Sequence, residues 1–277
     1  MSKIDSHQHF WKYEPVRDSW ITDDMAVVQR DFFPEDLAPI LKSNGFDGCV
    51  IVQSDQSEEE NHFQLQNAEG YSFIKGVVGW VDLLSANVEQ RLEYYSQFKK
   101  LKGFRHVLQG EPQRDFMLRP EFLNGLSLLS KYDFTYDILV FPDQLKFVNE
   151  MVARFPYQKF VLDHIAKPYI KDKTISGWDS DIRALGKFDN VCCKISGMVT
   201  ETNWNSWKPE DFDPYIDVVV EAFGADRLMF GSDWPVCTVA ASYEQVYGIV
   251  KNYFSNYSAS EQEKIFGENA IKFYSLS

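Results

Sequence analysis

Long apolar runs are missing from this chain. None approaches the about 18 residues of a bilayer-spanning helix, so no transmembrane helix is expected. The first residues, MSKIDSHQHFWKYEP, lack the apolar core of a signal peptide. Cysteine is scarce, with four in 277 residues, and Cys49, Cys192, Cys193 and Cys237 form no CxxC pair. That spacing excludes a zinc ribbon. The thiols at 49, 192 and 193 fall in apolar, strand-like runs, where buried free cysteines are expected. A reducing, cytoplasmic setting follows as the expectation. Positive charge is also short: 28 Lys and Arg against 41 Asp and Glu give a net charge of −13. A field of that sign argues against nucleic acid or an anionic membrane as partner. It suits a small-molecule substrate, a neutral one most easily. Monomer and homo-oligomer both stay open.

Familiar catalytic signatures are absent too. There is no GxSxG elbow, no Walker-type loop, no HExxH, and no glycine-rich phosphate loop after the first apolar run. Serine-elbow hydrolysis, P-loop chemistry and an open dinucleotide-binding sheet therefore lose their support.

What the chain does contain is regular. Short runs rich in β-branched and aromatic residues recur at 3–6, 48–53, 74–81, 103–107, 134–140, 159–162, 191–195 and 228–230. Near-continuous apolar character suits strands covered on both faces. Between them, 34–43, 58–68, 87–98, 120–129, 143–155, 213–223 and 242–253 read as helices, several with apolar residues at helical spacing. Strands alternating with helices imply parallel β/α units. At this length a single-domain α/β fold, a TIM (β/α)8 barrel over 1–277, is the economical closure. The stretches 170–178 and 200–213 read as loops after the sixth and seventh strands, on the side where barrel active sites lie.

The chemistry-bearing residues cluster at those strand ends. His7 and His9 follow the first strand, and alternation along an extended chain points both to one side. Two such imidazoles can bind one divalent metal or can simply hydrogen-bond at a turn. His164 ends the sixth strand. Asp233 follows the eighth, which in a closed barrel lies beside the first; it can ligate a metal or take a proton from water. Arg105 and His106 end the fourth strand, and either one can face the barrel mouth, with the arginine fork suited to a carbonyl or carboxylate. Gln53, Asp137, Lys194, Ser196 and Glu201 are looser candidates for orienting substrate. His62, on a helix, is set aside.

The segments IDSHQHFW (4–11), GFRHVLQGEP (103–112), LDHIAKP (162–168), CKISGMVTE (193–201) and MFGSDWPVC (229–237) resemble the amidohydrolase-2 branch of the amidohydrolase superfamily. Within it they are most similar to sugar-lactone hydrolases of the L-fuconolactonase and L-rhamnonolactonase type, and more distantly to 2-pyrone-4,6-dicarboxylate lactonase. The resemblance implies a distorted (β/α)8 barrel that hydrolyses a lactone ester. It matches His7, His9, His164 and Asp233 to a site holding one divalent ion, Zn2+ or Mn2+, with which the lactonase branch can dispense. A further barrel histidine or carboxylated lysine, present in many metal-dependent relatives, has no clear counterpart. On this reading Asp233 activates water, the histidines polarise the carbonyl, Arg105 clamps substrate, and Trp11, Trp234, Lys194 and Ser196 grip the sugar. The alternative within the branch is a metal-dependent, non-oxidative decarboxylase of an aromatic acid.

Overall fold

A computed structural model describes residues 2–277. Eight parallel strands form one sheet in sequence order. They are β1 (Ile4–Gln8), β2 (Gly48–Val52), β3 (Ile74–Gly79), β4 (Leu101–His106), β5 (Thr135–Ile138), β6 (Phe160–Leu162), β7 (Val191–Ile195) and β8 (Leu228–Phe230). Between successive strands run α1 (Pro34–Ser43), α2 (Glu58–Gly70), α3 (Val88–Tyr95), α4 (Pro120–Leu129), α5 (Leu145–Ala153), α6 (Trp178–Leu185) and α7 (Asp213–Phe223). After β8 come α8 (Tyr243–Tyr253), α9 (Ala259–Glu263) and α10 (Asn269–Tyr274). The expected barrel is present, with strand ends shifted by a few residues. The helix α6 was not anticipated, although Trp178, Ile182 and Leu185 give it a buried face. No described helix is long and apolar enough to cross a membrane.

Local signals explain the element ends. Proline occupies the first turn of α1, α4 and α7, where its missing N–H leaves nothing unsatisfied. Ser242 and Gln245 cap α8 reciprocally.

The seam between β8 and β1 closes with few backbone bonds. His9 N donates to Trp234 O at 2.7 Å and Asp233 N to His7 O at 2.8 Å. Below them the buried Asp5 carboxylate accepts from Ser232 N at 2.9 Å. These contacts fix Asp233 next to His7 and His9.

Strand alternation sorts the interior. Cys49, Ile51, Phe104, Tyr136, Ile138, Cys193 and Ile195 pack outward in the core shared with the helices. Their neighbours Val50, Val52, Val161 and Met229 belong to a second, smaller apolar cluster with Ala270, Phe273 and Tyr274 of α10. Asp137 and Lys194 are fully buried on that same alternate phase. The barrel is thus plugged from its N-terminal end by the last helix, and its middle layer is ionic.

Candidate active site

The C-terminal ends of β1, β6 and β8 bring His7, His9, His164 and Asp233 together. Ring centroids of His7 lie 4.9 Å from His9 and 4.4 Å from His164. The three Nε2 atoms surround one oxygen: Asp233 Oδ1 is 3.2 Å from His9, 3.8 Å from His164 and 3.9 Å from His7.

Each Nδ1 is engaged on the far side. His9 Nδ1 lies 2.7 Å from Val52 O, a pure acceptor, so it carries the proton. His164 Nδ1 is 2.8 Å from Ser196 Oγ. His7 Nδ1 is 3.2 Å from the Asp163 carboxylate. With the Nδ1 atoms so engaged, the Nε2 atoms of His7, His9 and His164 all turn toward the Asp233 carboxylate. Among the described residues, ligand atoms of His7, His164 and Asp233 all lie within 4.8 Å of one another. Imidazole and carboxylate donors of this kind fit a divalent metal, and the occupied Nδ1 atoms supply the outer support such ligands need. Arg105 Nη1, 3.3 Å from His7 Nε2, adds a fixed positive charge at the same place.

Electrostatics favour neutral His7 and His164 beside an ionised Asp233. Burial pushes His7 well below its usual range; Asp163 opposes this and Lys194 reinforces it. Burial likewise depresses His164 against the pull of Asp233. Burial works to raise Asp233, but His164, the His9 hydrogen bond and Lys167 outweigh it and hold the group below its usual range.

The backbone around these groups is strained. His164, Ile165, Ala166 and Lys167 have φ of 54°, 48°, 59° and 48°, and Asp233 has 57°. Such conformations cost of order 1–3 kcal/mol each in non-glycine residues. Trp178 Nε1 pins the run by donating to Ile165 O at 2.8 Å. Gly197 makes room for it: a Cβ there would sit 2.5 Å from His164 Nδ1, on a residue with φ of +61°. Gly197→Ala is therefore expected to lower stability by about 1–3 kcal/mol and turnover by roughly 10²-fold through displacement of His164. Thermal melting and a rate assay check this; unchanged turnover would mean that the His164 position is not critical.

A cavity of about 460 Å³ opens above this floor. His9, His164, Asp233 and Arg105 line it, as does Glu201. The other candidates from the sequence do not. Gln53 is fully buried and holds Arg105, accepting from Nη2 at 3.0 Å through its side chain. Ser196 supports His164. Lys194 lies beneath His7, 2.6 Å from Asp137. Of the strand-four pair, Arg105 faces inward, while His106 stacks on Phe116 and meets Glu111 at 2.7 Å. Trp11 and Trp234 are packed around Phe32 rather than on the cavity wall, because the chain turns back after His9 to pair Trp11 with Phe32. The wall that sequence reasoning missed comes from irregular segments: Arg17, Trp20, Gln56, Gln109, Lys167 and Trp204.

The amidohydrolase family model matches residues 4–276. The chain is 37% identical to an L-fucono-1,5-lactonase of Burkholderia multivorans, covering 99% of this chain and 96% of that one. It is 32% identical to an L-fucono-1,5-lactonase of Burkholderia ambifaria, with coverage of 99% and 96%. A crystal structure of an amidohydrolase from Burkholderia multivorans with bound zinc superposes with a TM-score of 0.97 at 37% identity, covering 100% of both chains.

Proposed function

This chain belongs to the amidohydrolase family, and from that premise we propose that it opens a sugar lactone by adding water to give the hydroxy acid. The observation that carries the reading is the convergence of three imidazole Nε2 atoms on Asp233 at the floor of the cavity. The lactonase names of relatives at 37% and 32% identity supply the substrate class.

Asp233, held ionised, takes a proton from water as its oxygen attacks the lactone carbonyl. The acyl–oxygen bond then breaks, and the proton on Asp233 passes to the leaving ring oxygen. Arg105 is locked against the floor by Asp163 and Gln53 and favours the negative charge developing on the carbonyl oxygen. A divalent ion, zinc in our reading, held by His7, His9, His164 and Asp233 would polarise that carbonyl and acidify the water. Trp20 and Trp204 offer faces for the sugar ring, the role assigned from sequence to Trp11 and Trp234. Gln56 and Gln109 offer partners for its hydroxyls. These two amides, with Ser54 and Thr200 on the same wall, favour a polyhydroxylated ring over the flat arene that a decarboxylase of aromatic acids would hold.

A pH-indicator assay against a panel of aldonolactones, headed by L-fucono-1,5-lactone, tests the reading. Acid release from at least one sugar lactone is expected. None from folded, zinc-supplied protein would end it. A chelator lane separates an ion-dependent reaction from one carried by the histidines and Arg105 alone.

A further inference from the structure

The strained run after β6 has a geometric consequence beyond His164. A left-handed turn closed by Lys167 N on His164 O at 2.7 Å stacks residues three apart on one side. Lys167 therefore stands over His164, and both line the cavity. None of the four left-handed residues is glycine, in a chain with 15 glycines. The fold accepts that strain to present a lysine beside the reaction centre.

Among the described residues, three cations line the cavity: Arg17, Arg105 and Lys167. Arg17 is forked onto Asp18, with Nε at 2.9 Å and Nη2 at 2.7 Å. Arg105 is held by Asp163, Gln53 and His7. Lys167 has one carboxylate partner, Glu201 Oε1 at 2.6 Å, and both side chains keep some exposure, 15% and 19%. Both ends of the pair reach solvent, and a flexible ammonium can swing where a guanidinium fork cannot. Glu201 is not stranded when Lys167 leaves, because its side chain keeps 19% exposure to solvent. Lys171 N, bonded to Glu201 O at 2.9 Å, ties the two loops together.

We propose that Lys167 receives the negative charge created when the lactone opens, and that Glu201 is its resting counter-ion, which recaptures it as the product leaves. This rests on the lactone-hydrolysis reading. There the neutral lactone and one water become a hydroxy-carboxylate, and the carboxyl proton departs to solvent. The new carboxylate forms beside ionised Asp233, which repels it. A cation free to turn toward it stabilises the transition state and product more than the neutral substrate. Competition from Glu201 keeps that product from being held.

The test measures aldonate binding by tryptophan fluorescence, using the aldonate of whichever lactone the parent hydrolyses and the matching neutral alditol. Lys167→Met is expected to weaken aldonate binding by about tenfold or more, the range of a charged hydrogen bond, and to leave alditol binding within twofold. Glu201→Gln is expected to act in the opposite direction, with aldonate bound more tightly, stronger product inhibition and a lower kcat. Lys167→Arg should restore part of the aldonate affinity. Circular dichroism checks the fold of each variant, and Glu201→Gln carries the test alone if Lys167→Met does not fold. Aldonate affinity unchanged in Lys167→Met, or not raised in Glu201→Gln, overturns the proposal while leaving lactone hydrolysis by the parent intact. A parent inert toward every lactone removes both.

Discussion

Asp233→Asn is expected to fold like the parent and to lose turnover by roughly 10²–10⁴-fold, the contribution of a positioned general base. The substitution keeps size and shape. Asparagine tolerates the left-handed backbone that Asp233 adopts, and the amide N–H still reaches His7 O to close the barrel seam. On the proposed mechanism, what disappears is the ability to accept a proton from water and return it to the ring oxygen. One acceptor oxygen also gives way to a donor, so the three Nε2 atoms no longer surround a carboxylate. Acid release from the best lactone, a melting curve and equilibrium dialysis of zinc should therefore separate cleanly. Stability is expected to hold while rate and zinc retention fall. Turnover within tenfold of the parent would remove Asp233 from the water-activating role and leave the histidines or Arg105 to supply it.

That such a residue can be chosen reflects what strand periodicity makes legible. Eight apolar runs fixed the strand order, and position at a strand end was enough to bring His7, His9, His164 and Asp233 to one mouth. Alternation also carried parity but not phase at β4. Arg105 and His106 had to point opposite ways, and only the outward packing of Phe104 settles that Arg105 faces in. The cavity wall was hidden for a different reason. Arg17 and Trp20 sit in turns between β1 and α1, where no periodicity marks a face. The left-handed run at 164–167 contains no glycine to betray it. Trp11 and Trp234 looked like ring-gripping residues through adjacency to His9 and Asp233, but a chain reversal sends them into the core.

The ionic layer inside the barrel leads to the largest stability effect we expect. Lys194 is fully buried, with Nζ at 2.6 Å from Asp137, 3.0 Å from Asp163 and 3.2 Å from His7 Nδ1. Tyr274 closes the network from α10 by donating to Asp137 at 2.7 Å. With His7 neutral, Lys194 and Arg105 balance Asp137 and Asp163. Lys194→Met removes one cation and leaves a buried negative charge uncompensated, which costs about 3–5 kcal/mol and lowers the melting midpoint on the order of 10 °C for a domain of this size. The loss should depend on pH in a defined direction. Burial raises Asp137 from 3.8 to about 6 even against Lys194. The native state thus binds this proton more tightly than the unfolded chain, and the Asp137 contribution to stability falls as pH rises through that window. Without Lys194 the carboxyl moves higher still, so the deficit of the variant against the parent should be greatest at alkaline pH and shrink on acidification. Adding Asp137→Asn to Lys194→Met restores neutrality and is expected to recover at least half of the lost stability. A deficit independent of pH, with no recovery in the double variant, would mean that Lys194 fills space rather than balances charge. Turnover measured well below the melting midpoint then reads the second role of the layer. Asp163, which holds His7 Nδ1 at 3.2 Å, loses its lysine partner in this variant, so a fall in rate at full folding would show that the ionic layer holds the His7 imidazole in place for the proposed reaction.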